Sequence, residues 1–285
     1  MNNKLKTNEI YCEDNKITMS NMEDNSIDVV LTSPPYNSTD SKHRQSSIKD
    51  LYCKRYDSYN DFKDIGEYID WSVEMFKEFD RVLKENRVVL YNFSYGTENP
   101  HLPYILMNAL IENTDWTVAD TIIWKKKSAL PNNVSHNRLT RIVEFVWVIC
   151  RKSEIKTFHM NKEVKSTSKT GQKYYCNYFN FIDAKNNDGS NKLNKAVYST
   201  DLCNQLLKLY SKENWVVYDP FVGVGTTAHS CIELDREYIG SEISQDQVNY
   251  FYENTKQSDK MVNKVVEPDP EIIESVDDEI DDLEF

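Results

Sequence analysis

The sequence predicts an α/β fold, a doubly wound and mostly parallel sheet, and three observations carry that prediction. Short apolar runs bounded by turn residues alternate with stretches of helical spacing along most of the 285 residues. Two of these runs end in rigid turns, LTSPPYN at 31–37 and VVYDPFVGVGTT at 216–227, and ligands of open α/β sheets bind at such strand ends. Apolar residues make up 39% of the chain, enough core for one domain with an inserted lobe.

The elements follow in order. Residues 26–31 (SIDVVL) form a short strand that stops at the first turn. Residues 37–60 are polar, irregular and longer than an ordinary connector, which marks a mobile functional loop. Over 61–84, Phe62, Ile65, Tyr68, Ile69, Val73, Phe76, Phe79, Val82 and Leu83 recur every three or four residues, the period of a helix with one buried face. A buried strand at 87–93, a helix at 103–113 and strands at 116–124 and 143–150 come next, the last interrupted only by Glu144. Residues 151–195 hold many Lys, Asn and Tyr and almost no aliphatic core, so they form an inserted lobe of loops and short strands. Thr200 and the acid after it cap a helix that runs to about 210. A strand at 215–218 leads into the glycine turn and another helix, then a strand at 237–242 and a helix at 245–255 close the pattern. Strands alternating with helices imply parallel pairing with both faces covered.

The net charge of −12 is unevenly placed. Ten acids and one lysine lie between 262 and 285, a tail that carries −9 and is expected to be disordered. Between Trp124 and Tyr175 twelve Lys and Arg stand against three Glu, a local +9. That basic stripe suits a polyanion. Six cysteines at 12, 53, 150, 176, 203 and 231 include no CxxC pair, which fits reduced thiols in a cytoplasmic protein better than disulfides or zinc. No apolar run approaches the roughly 18–20 residues of a membrane span, and the first residues lack a secretory apolar core.

The two turns carry the chemistry. At the second, Asp219 ends a strand, and Gly223 and Gly225 let the backbone bend tightly beneath a ligand. The N–H groups at the following helix start then face that ligand. GVG is not GxGxxG and no lysine follows, which disfavours a dinucleotide pyrophosphate or a Walker-type site. Glu242, seventeen residues after Gly225 and at the end of the next strand, can accept both hydroxyls of a ribose. An acid at the turn plus an acid for a ribose suits an amino acid joined to a nucleoside, which describes S-adenosylmethionine. In TSPPYN two prolines remove two donors and leave carbonyl acceptors, Ser33 adds a hydroxyl, and Tyr36 adds an aromatic plate. Acceptors beside a plate suit an exocyclic amine on a flat heterocycle.

TSPPYN followed by DPFVGVGTT resembles the DNA amino-methyltransferases that modify N4 of cytosine or N6 of adenine. The order of the two motifs resembles the permuted β class of that family. The resemblance spans about residues 9–255 and implies a Rossmann-like sheet that binds S-adenosylmethionine. It implies that Ser33, Pro34, Pro35 and Tyr36 are catalytic. Asp14, Asp219, Phe221, Gly223, Gly225, Thr226 and Glu242 then bind the cofactor, with Thr200 on the helix that completes the methionine pocket. Residues 1–150 and 196–260 form the catalytic domain, 151–195 the target-recognition insertion and 261–285 the tail. Lys125, Lys126, Lys127, Arg138, Arg141 and Lys152 are the candidate phosphate contacts to double-stranded DNA. Lys125, Arg138 and Glu144 also fall in a run similar to the W-K…R…E of the family.

The implied mechanism flips the target base out of the duplex and stacks it on Tyr36. Ser33 and the Pro34 carbonyl accept from its amine and localise the nitrogen lone pair. Attack on the sulfonium methyl is then direct, with no metal and no covalent enzyme intermediate. A serine at the head of the tetrapeptide resembles the cytosine enzymes. N4 of cytosine is therefore the expected target, N6 of adenine the alternative, and a catalytically silent DNA-binding module a remote one. RNA or protein-glutamine methylation is disfavoured by the motif order, and carbon-5 methylation by the lack of a PC dipeptide. A cognate restriction endonuclease, and a monomer or homodimer, complete the expectations.

Overall fold

Strand and helix alternate along the chain as the apolar patterning requires. A computed structural model describes residues 5–37, 63–95, 99–128, 131, 136–188, 193–194 and 197–262, with side chains in the last helix as far as Thr255. All but the first residue of the loop expected over 37–60 lies outside the described residues, as does the tail beyond 262. In order the elements are β1 (Glu9–Tyr11), α1 (Asn15–Ser20), β2 (Ile27–Thr32), α2 (Ile65–Val82), β3 (Leu83–Phe93), α3 (Leu102–Asn113), β4 (Trp116–Lys126) and β5 (Val143–Arg151). There follow β6 (Val164–Thr167), β7 (Lys173–Tyr175), β8 (Phe181–Ala184), α4 (Thr200–Tyr210), β9 (Val216–Asp219), α5 (Thr226–Glu233), β10 (Glu237–Ser241) and α6 (Gln245–Val262).

Eight strands form one sheet in the order β1-β10-β9-β2-β3-β5-β4-β8. Every pairing is parallel except the two made by β5. Strand β5 returns from β4 without a crossover helix between them, and only an antiparallel strand can do so. All six residues of β2 are buried, as a central strand covered on both faces must be. Its side chains alternate between two cores. Val29 and Leu31 pack with Leu202, Leu206 and Ala228 of α4 and α5, while Val30 packs with Phe76, Phe79 and Leu106 of α2 and α3. The sheet is thus doubly wound, and β2, β3, β9 and β10 all end at one edge.

Three expectations change on contact with the structure. Helix α2 passes directly into β3, because its C-cap Leu83 is already extended at φ −80°, ψ 130°. Ser199, not Thr200, caps α4, its Oγ accepting from the Leu202 N–H at 3.3 Å. The segment 151–195 divides: β6 and β7 form a separate hairpin, whereas β8 joins the central sheet beside β4. The short β1 pairs with β10 and was too brief to stand out by pattern.

Candidate active site

Strand β9 delivers Asp219 to the sheet edge with 2% exposure. Its Oδ1 accepts from Thr32 Oγ1 at 2.7 Å and from the Phe221 N–H at 3.0 Å. Its Oδ2 accepts from Thr227 Oγ1 at 2.6 Å and Tyr198 Oη at 3.1 Å. Burial pushes the carboxyl above its ordinary value, and these hydrogen bonds pull it back. Four donors from the chain itself therefore hold the side chain, and it does not line the adjoining cavity. Asp219 thereby ties β2, the glycine turn and α5 together.

The two glycines differ as well. Gly223 lines the cavity at φ +57°, and its N–H donates to Glu242 Oε2 at 3.0 Å. Glu242 Oε1 accepts from the Ser244 N–H at 2.9 Å. Burial raises the Glu242 carboxyl, with its backbone bonds acting the other way. Gly225 sits at φ +92° as the N-cap of α5 and does not line the cavity. A Cβ there would lie 2.1 Å from the Phe251 ring of α6. Gly225→Ala should accordingly cost about 3 kcal/mol from overlap and left-handed strain. Thermal unfolding checks this, and a variant that melts with the wild type would show that Phe251 yields freely.

The cavity is open to solvent, and about 930 Å³ of space free of protein atoms lies within it and its mouth. Asp14, Phe221, Gly223, Thr226 and Glu242, all candidates from the sequence, line it. Asp14 also caps α1, accepting from the Lys16 N–H at 2.8 Å. Thr200 lies elsewhere, its N–H and Oγ1 donating to Asp188 at 2.8 and 3.1 Å. The residue follows the cap and so begins the helix turned toward the 188 segment. Sequence reasoning missed Trp71, Asn194, Tyr198 and Gln247. Trp71 packs on Phe221 at 5.5 Å between ring centroids, and Asn194 Nδ2 donates to Gln247 Oε1 at 3.0 Å. Asn194 and Tyr198 just precede α4, so the expected helix pointed to the right neighbourhood. Carboxylates, a tight glycine backbone and an aromatic pair suit a ligand with hydroxyls, a cationic centre and a flat heterocycle.

Ser33 and Pro35 line the same cavity from the end of β2. The Pro35 carbonyl is not left as a free acceptor, because it accepts from Tyr68 Oη at 2.7 Å. The Tyr36 ring packs on Phe93 at 5.0 Å. Its hydroxyl pairs with Ser33 Oγ at 2.9 Å and donates to Glu144 Oε2 at 3.1 Å. Asn92 Nδ2 donates to Tyr36 Oη, to Glu144 Oε2 at 3.1 Å and to Ser33 Oγ at 3.3 Å. Lys126 Nζ completes the cluster with a 2.5 Å ion pair to Glu144 Oε1.

Five of the six basic candidates cluster beyond this edge. Lys125 pairs with Asp183 at 2.7 Å and Lys127 with Asp201 at 3.3 Å. Arg138 is exposed, and Arg141 donates to the Tyr95 carbonyl at 2.9 Å. Lys152 is the exception. It follows β5 at the opposite edge, and its Nζ donates to the Ile111 and Thr114 carbonyls at 2.7 Å each, closing the end of α3. The β6–β7 hairpin and the segment after it expose Tyr174, Tyr175 and Phe179, the last at 81%. Cys150, Cys203 and Cys231 are buried, and burial pushes their thiols up, Cys150 to about 11, so none is a ready thiolate.

This chain resembles known proteins in sequence and in fold. The DNA methylase family matches residues 27–253. Type II methyltransferase M.BglII of Bacillus subtilis is 24% identical over 269 residues, covering 88% of this chain and 69% of its own. The solved PvuII DNA methyltransferase (cytosine-N4-specific) superposes with a TM-score of 0.66 at 16% identity, covering 92% of this chain and 93% of its own. The M1.HpyAVI–SAM complex superposes with a TM-score of 0.52 at 19% identity, covering 86% and 97%.

Proposed function

The chain belongs to the DNA methylase family of N6-adenine and N4-cytosine enzymes, and from that premise we propose that it methylates N4 of cytosine in double-stranded DNA with S-adenosylmethionine as donor. One observation carries the reading. Ser33, which heads the SPPY turn, and Gly223 with Glu242 open into a single cavity. A nucleophile held at one side and a methyl donor at the other then face each other without any further movement of the sheet.

S-adenosylmethionine supplies, when bound, an electrophilic methyl on a sulfonium. The protein's part is binding and orientation. Glu242 would accept from the ribose hydroxyls, while Asp14, Trp71 and Phe221 flank the heterocycle. Ser33 accepts from the target amine and draws its lone pair out of conjugation. The Tyr36 ring, fixed by Phe93 on one side and its hydroxyl bonds at the tip, is ready to stack on the base. A serine in that place resembles the cytosine enzymes, since the N6-adenine enzymes more often carry aspartate or asparagine.

Lys125, Lys126, Lys127, Arg138 and Arg141 provide the phosphate-facing edge. The hairpin at 164–175 and Phe179 form the target-recognition insertion, where exposed aromatics stand among lysines. Relatives such as M.BglII are type II methyltransferases, so a partner endonuclease is part of this reading. Among the described residues no helix is long and apolar enough to cross a membrane.

The test is direct. Incubation with labelled cofactor and mixed-sequence DNA, followed by digestion to nucleosides, should yield labelled N4-methyldeoxycytidine. Labelled N6-methyldeoxyadenosine would move the target to adenine. Label confined to RNA or protein would overturn the DNA reading altogether.

A further inference from the structure

Glu144 is the only acid in β5, VEFVWVICR, and its side chain is only 13% exposed. Burying an anion there is costly unless partners compensate. Lys126 does so on one oxygen, while Tyr36 and Asn92 donate to the other. The consequence is an unbroken line of oxygens, Ser33 Oγ to Tyr36 Oη at 2.9 Å and Tyr36 Oη to Glu144 Oε2 at 3.1 Å.

We propose that Glu144 is a positioning residue for methyl transfer and the destination of the proton that the target amine must lose, reached through Ser33 and Tyr36. The proposal rests on the amino-methylation reading above, whether the base is cytosine or adenine. As the amine nitrogen forms its bond to the methyl carbon, the carbon–sulfur bond breaks with its electron pair left on sulfur. The nitrogen then carries a positive charge and one hydrogen too many. Ser33 Oγ takes that hydrogen as a proton and gives its own to Tyr36 Oη, whose proton passes to Glu144 Oε2. The N–H bonding pair stays on nitrogen and restores conjugation with the ring. One proton has moved from the amine to Glu144, the two hydroxyls are regenerated, and no oxidant or reductant enters. An amine that regains conjugation on losing its proton is a strong acid, so a carboxylate suffices as acceptor.

The surroundings support this direction. Asn92 cannot take a proton, yet its Nδ2 lies within hydrogen-bond reach of all three oxygens of the line, which share its two N–H groups and are held in register. Its Oδ1 has no partner among the described residues, as expected of an amide turned donor-first toward the cluster. Asp219, the acid that ends β9 beside β2, is bonded to Thr32 and not to Ser33, and its oxygens already accept four hydrogen bonds. Lys126 balances the Glu144 charge before transfer.

Glu144→Gln keeps the shape and can still accept from Tyr36, but it cannot take the proton. Single-turnover methylation should slow by about 100-fold, with cofactor and DNA affinities, measured by calorimetry, within about twofold of wild type. Tyr36→Phe should slow the step similarly, the double variant should be no slower than the slower single one, and Glu144→Asp should recover part of the rate. A Glu144→Gln enzyme at the wild-type rate, a loss confined to KM, or fully additive effects would each overturn the proposal. If Glu144→Gln fails to fold, the same outcomes are read from Tyr36→Phe, whose normal rate would overturn it alone. A wild-type enzyme that methylates only RNA or protein would instead overturn the functional reading on which this rests.

Discussion

Tyr36→Ala is expected to lower methyl transfer to DNA by about 1000-fold, since base stacking and the hydroxyl relay are lost together. Cofactor affinity should remain within about twofold, because Tyr36 stands outside the cavity that Gly223 and Glu242 line. The variant also leaves Ser33 and Glu144 without the hydroxyl that joins them. Calorimetric titration of the cofactor beside a single-turnover assay separates the two effects. Equal loss of both would mean that the tyrosine supports the cofactor side, and the division of the site into two halves would fail.

Asp219→Ala should be the most damaging change to the fold of the site. It strips an acceptor from Thr32, Tyr198, Thr227 and the Phe221 N–H, all in buried or half-buried positions. Leaving such donors unsatisfied costs on the order of 3–5 kcal/mol, which lowers the melting temperature by roughly 10 °C for a chain of this size. Cofactor affinity should fall with it, because the turn carrying Gly223 loses its anchor. A variant that melts normally yet binds no cofactor would instead make Asp219 a direct ligand contact.

Strands β2 and the second half of β3, residues 88–93, could be read from sequence because they are largely apolar and buried on both faces. Strand β8 could not be read that way. Its four residues, FIDA, become a strand only because β4 offers them an edge. The turns at Ser33 and Gly223 were legible because proline and glycine punctuate a chain wherever they occur. Which side of a turn faces the ligand was not legible. Asp219 and Gly225 have the residue types of a binding turn, yet one serves the turn's own donors and the other makes room for Phe251. Lys152 shows the same limit for charge. A lysine counted in a basic stretch can reverse its allegiance when the strand before it runs the other way. Glu144 stood out as an acid among apolar neighbours, but its partners, 18 to 108 positions away, exist only in the folded chain.

Thr32 and Asp219 touch across 187 positions of sequence, and this sets a timetable for synthesis. At roughly 5–20 residues per second, β2 leaves the ribosome about 10–40 s before β9 is made. In that interval β3 and β5 can already pair beside β2, while its other edge stays bare. The half that carries Ser33 and Tyr36 therefore takes shape first, and the nascent chain leaves one edge of a strand that is buried in the finished fold unpaired until its C-terminal third arrives. Slower translation lengthens that exposure, so recovery of folded enzyme is expected to fall when residues 216–219 follow more slowly, which a comparison of fast and slow codons between 100 and 215 would measure.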